Sequence, residues 1–201
     1  MIYSFNMRNA LVIILIGSFT GIMTSIGQTY IPGTFNQLAN SYAVWLTASF
    51  IGGSYLSSKK WSVIGGILIQ IIAIVFYYLT SLVRFDMSFG SYGILLFWVI
   101  GGLLMGPVLG FVGHLWKHER QAKDQYGIVL LSALYISEGI RNLYEFGYSV
   151  GYVFLIIGVC IITCMYPKRT SVLKLGLITL SLTACMYGGF YLMILVLEMS
   201  F

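Results

Sequence analysis

Residues 92–116 read YGILLFWVIGGLLMGPVLGFVGHLW, and this uninterrupted apolar stretch decides the fold. It holds no Asp, Glu, Lys or Arg over 25 residues. A helix crossing about 30 Å of hydrocarbon needs about 20 such residues. A barrel strand would alternate apolar and polar side chains over about ten positions, and this stretch does not alternate. The reading is therefore a membrane-crossing helix.

Working outward, the rest of the chain repeats the pattern. Of 201 residues, 59% are hydrophobic and 8% charged, where soluble domains carry roughly a quarter charged residues. Mean hydropathy is +0.91. So few charges could not cover a soluble surface, and in lipid only structures that satisfy their own backbone groups can span. Polar punctuation predicts an all-α, polytopic transmembrane bundle of about seven spans. They fall near 9–27, 37–57, 62–83, 92–116, 126–145, 149–166 and 172–197 and make one domain over 1–201. Arg8 before the first apolar run resembles a signal peptide, but no A-x-A-like site follows, and the run is read as a retained span.

Charge fixes the expected orientation. Arg8, Lys59-Lys60, Lys117 to Lys123, and Lys168-Arg169 with Lys174 hold nine of the eleven basic residues, all on one side. The opposite connections, 28–36, 84–91 (with Arg84 and Asp86) and 145–149, are poor in charge. The positive-inside rule then places the N-terminus in the cytoplasm and the C-terminus outside, in a cell membrane. The net charge of +5 thus reads as topology, with no nucleic-acid partner. Cys160, Cys164 and Cys185 lie in apolar runs and read as packing groups, without a disulfide framework.

Small residues recur at four-residue spacing: Gly17 and Gly21, then Gly102, Gly106 and Gly110, then Gly147 and Gly151. Such spacing lets helix backbones approach closely where lipid offers no hydrophobic gain.

The informative residues are the polar ones, because an intramembrane charge is costly and needs a partner or a role. Tyr135, Glu138, Arg141, Asn142 and Glu145 fall within about 120° of one helical face, with Val129, Ala133, Ile136, Ile140 and Leu143 opposite. Glu138 and Arg141 are three apart and Arg141 and Glu145 four, so both pairs can touch. The bland reading is an ion cluster that locks span five to its neighbours. The functional reading gives Arg141 an anionic ligand group and a glutamate a cation or proton. Ser18, Gly21, Ser25 and Gln28 mark one face of span one, and Gln37, Asn40 and Thr47 one face of span two. Gln70 and Tyr77 could reach the same interior. The expected ligand site is thus Gln28, Gln37, Asn40, Gln70, Tyr135, Glu138, Arg141, Asn142 and Glu145, open to the outside, with segment 29–36 either a lid over it or a simple connector.

Catalysis and cofactors find little support. His114 and His118 are four apart, but Leu115 follows His114 where H-E-x-x-H requires glutamate. Glu138-Gly139-Ile140-Arg141 lacks the paired glutamates of an intramembrane protease, and no nucleophile elbow is present. No metal or cofactor is expected.

Asn40-Ser41-Tyr42-Ala43-Val44-Trp45-Leu46, with Gly101-Gly102, Gly106-Pro107-Val108 and Gly110, resembles a bacterial family of multi-pass membrane proteins of unknown function. In size and layout the chain is also similar to the substrate-binding subunits of energy-coupling-factor transporters. That similarity implies a helical bundle, an outward pocket under a lid, and a partner subunit docking on Gly17 and Gly21. Those subunits keep both termini inside, whereas seven spans place this C-terminus outside. Three function classes follow: binding of a small polar or amphipathic molecule from outside for uptake with partner subunits; a membrane scaffold or accessory subunit; and an intramembrane enzyme.

Overall fold

A computed structural model describes residues 6–85, 92–119, 124–165 and 172–198. Asp86, Arg120, Lys123, Lys168, Arg169 and most of the expected 84–91 connection lie outside the described residues. The described chain forms α1 (Met7–Tyr30), a 3-10 helix (Gly33–Leu38), α2 (Tyr42–Tyr55), α3 (Lys59–Phe85), α4 (Tyr92–His118), α5 (Asp124–Tyr144), α6 (Val150–Cys164) and α7 (Val172–Glu198). No strand occurs among the described residues.

Side chains set the helix limits. Asn6 accepts from the Asn9 amide to open α1, and Ser41 accepts from Val44 to open α2. Gly147, at φ +65°, takes the left-handed turn after α5. It serves there as a cap, correcting the expectation that it packs a helix face. The larger correction is span two, expected over 37–57. Pro32 and Gly33 (φ +60°) turn the chain into the 3-10 segment, and the helix starts only after Ser41. Its 14 residues rise about 21 Å, short of the hydrocarbon thickness.

The packing order is α1 on α3, α3 on α4, and α2 recessed against α3 and α4. The second group is α5 with α6 and α7, joined to the first through α4 and α2. Glycines permit the closest crossings. A Cβ on Gly53 would strike the Gly110 carbonyl, and one on Gly66 the Gly106 carbonyl. Across α5 and α6, a Cβ on Gly139 would stand 2.8 Å from the Gly151 carbonyl oxygen. The expected role of Gly102, Gly106 and Gly110 in helix packing holds. Gly17 and Gly21 are also spent inside the chain: both are buried, and an added Cβ at Gly21 would meet the Ala73 and Tyr77 backbone of α3. The docking face expected there for a partner subunit is occupied by α3.

Polarity is arranged opposite to that of a water-soluble domain. Ser49, Ser132, Glu138 and Asn142 are buried, while Phe19, Leu104, Ile156 and Leu180 are exposed. Cys160, Cys164 and Cys185 are free and exposed, so they do not pack the interior. Among the described residues, three helices, Met7–Tyr30, Lys59–Val83 and Leu95–His118, are long and apolar enough to cross a membrane by length and composition. Val150–Cys164 and Leu173–Gly189 are shorter apolar helices.

Candidate functional site

Two of the ionic residues of α5 come together, and neither lines a described cavity. Arg141 Nη2 donates to Glu138 Oε1 at 2.6 Å, and Asn142 Nδ2 donates to the Glu138 carbonyl at 2.9 Å. Glu138 is 2% exposed and Asn142 fully buried. The guanidinium carbon lies 5.6 Å from the Phe146 ring, and Phe146 stacks on Tyr148. Beyond α5, the Tyr148 amide donates back to the Asn142 carbonyl at 2.8 Å, folding the turn over the cluster. Glu145 is exposed past the helix end, beside the Tyr187 hydroxyl of α7. The opposite face of α5 supports this arrangement: Ile136 and Gly139 pack against Gly158 and Gly151 of α6.

The other expected ligand residues are drawn into helix-to-helix bonds. Tyr77 donates to Gln28 at 2.6 Å, tying α3 to α1. Gln70 spends both amide protons on α2, on the Trp45 carbonyl and on Ser49 Oγ, each at 2.8 Å. Gln37 and Asn40 stand half-buried in and after the 3-10 segment. No described hydrogen bond joins Gln28, Gln37, Asn40 or Gln70 to Glu138.

Tyr135 behaves differently. Its hydroxyl lies 3.1 Å from Thr47 Oγ1 of α2, and this pair stands where two cavities adjoin. One, of about 860 Å³, runs between α2, α5, α6 and the end of α4, past Phe50, Leu131 and Ile161 to Tyr55, Trp116 and Lys117. The other, of about 530 Å³, lies between α1, α2 and α5 along Leu15, Phe19 and Val44. Thr47, Ile51 and Tyr135 line both. Sharing these three residues, the two make one trough along α2, which forms its floor. The walls are mostly apolar; the Thr47–Tyr135 pair is the polar point common to both cavities, with Ser54 and Thr20 lining one each. Volumes of this size match small-molecule sites. A shallower depression of about 440 Å³ lies at the α5–α6 turn, by Tyr144, Ser149 and Tyr152. None of the three cavities is lined by Glu138 or Arg141.

The sequence reading includes Tyr135 among the ligand residues and puts Thr47 on one face of span two; Ile51 and Ile161 carry no polar signal, and Lys117 reads as a topology signal.

The histidines have a structural place at the same end. Their rings stack at 4.6 Å. His114 Nδ1 bonds the Leu56 carbonyl at 3.0 Å and His118 Nε2 the Ser54 carbonyl at 3.1 Å, so they cap the last turn of α2. Among the described residues, no three His, Cys, Asp or Glu side chains group as metal ligands.

The sequence model described as "Family of unknown function (DUF6518)" matches residues 4–197, so the chain belongs to that family. No curated protein and no solved structure matches it. The similarity in layout to energy-coupling-factor subunits therefore finds no counterpart among them.

Proposed function

We propose that this family member is a multi-pass protein of the cell membrane that binds an amphipathic molecule in the trough floored by α2. The observation that carries the reading is the Thr47–Tyr135 pair. Tyr135 is 7% exposed, yet it lines both cavities, and its hydroxyl pairs with Thr47, which lines both as well. Convergent polar groups in an otherwise apolar concavity are the usual anatomy of such a site. The mouth lies at the Lys117 end, among Trp116 and Tyr55, residue types that collect at the membrane–water interface. With the basic end cytoplasmic, the ligand enters from the inner leaflet. The outward entry expected from sequence rested on an open ionic face; neither Glu138 nor Arg141 lines a described cavity.

A second reading, a membrane scaffold, is favoured by one observation: Arg141, 13% exposed, pairs with a Glu138 carboxylate that is 1% exposed. Both roles can coexist, because the ion pair and the trough occupy different parts of α5.

The test is native mass spectrometry of protein purified in mild detergent, comparing wild type with Ile51→Trp. Ile51 is 44% exposed and faces both cavities, so an indole there fills the trough without overpacking the core. Wild type should retain an amphiphile that the variant has lost. Equal retention, or none by either, contradicts the reading.

A further inference from the structure

Hydrogen-bond bookkeeping along the trough defines the two ends of its ligand, on the premise that the trough is a binding site. Thr47 has one hydroxyl proton, and Oγ1 donates it to the Ala43 carbonyl at 2.7 Å. In the 3.1 Å contact between the two hydroxyls, Tyr135 must then be the donor. Both protons are committed, and what remains at this point of the trough is the set of oxygen lone pairs. They can accept a hydrogen bond and cannot give one. A ligand carbonyl or carboxylate placed here would face acceptors only, whereas a hydroxyl or amide N–H would be satisfied.

The mouth has the opposite character. Lys117 is exposed and its ammonium lies 3.9 Å from the centre of the Tyr55 ring, which holds it at the rim. No acidic side chain lines either cavity among the described residues. Glu119, two residues on, pairs with Lys59 of α3. The eight residues from Thr47 to Tyr55 rise about 12 Å along α2.

We infer that the trough selects an anionic long-chain amphiphile, with its charged head at Lys117 and a hydrogen-bond donor on the chain roughly 12 Å deeper, against Tyr135. Phe50, Leu131 and Ile161 enclose the chain between the two ends.

Three probes test this in non-ionic detergent: stearate, its methyl ester, and a stearate carrying a mid-chain hydroxyl. Wild type should bind stearate about tenfold more tightly than the ester, and the hydroxylated acid about fivefold more tightly than stearate. Lys117→Gln should abolish the first preference and keep the second, while Tyr135→Phe combined with Thr47→Val, which removes both acceptor oxygens, should do the reverse. Lys117 is exposed and the Tyr135→Phe/Thr47→Val pair nearly preserves volume, so both variants should fold. Equal binding of acid and ester, or no gain from the hydroxyl, overturns the assignment at that end. Failure of all three probes to bind instead counts against the trough as a site.

Discussion

Arg141 and Glu138 meet one turn apart on α5, Nη2 to Oε1 at 2.6 Å, with the carboxylate side chain only 1% exposed. At that burial the pair is costly to break. Its attraction does little more than offset the desolvation of both groups, yet neither partner tolerates loss of the other.

Arg141→Met should therefore destabilise the protein by about 3–5 kcal/mol, since a buried carboxylate loses its cation. The double variant Glu138→Gln/Arg141→Met should recover most of that loss. Reversible unfolding in detergent measures both, and a single variant as stable as wild type would show that the pair is dispensable.

Backbone contact between α3 and α4 makes a second demand. Gly66→Ala drives a methyl into the Gly106 carbonyl, a rigid neighbour, and should cost about 1–3 kcal/mol. Gly176→Ala in α7 meets nothing within 4 Å and should be neutral or slightly stabilising through helix propensity. Thermal unfolding of the two variants side by side tests the contrast.

Gln70 was expected to face a ligand, but it ties α3 to α2. Gln70→Leu removes two buried hydrogen bonds and should lower stability by about 1–3 kcal/mol. Amphiphile retention should stay as in wild type. If retention vanished in a folded Gln70→Leu protein, Gln70 would belong to the site after all.

The long helices were legible because period, length and charge agree in them. The span read as 62–83 is α3 over Lys59–Phe85, and 92–116 is α4 over Tyr92–His118. Span two was misread because apolar content continues across 37–57, while Pro32, Gly33 and the Ser41 cap decide where helix can begin. The Glu138–Arg141 contact followed from helical spacing alone. Whether that face met a void or a neighbour depended on how α5 packs on the other helices, and no local pattern encodes it. The trough has the same origin: it depends on how α1, α5 and α6 pack around the Thr47–Tyr55 face of α2.

The most direct measurement is an experimental structure of the protein in a lipid environment, viewed along α2 between α1 and α6. The account predicts elongated non-protein density over Ile51, running from Lys117 to the Thr47–Tyr135 pair. It is contradicted if the walls close over Ile51 with no gap, or if Thr47 and Tyr135 stand beyond hydrogen-bonding reach.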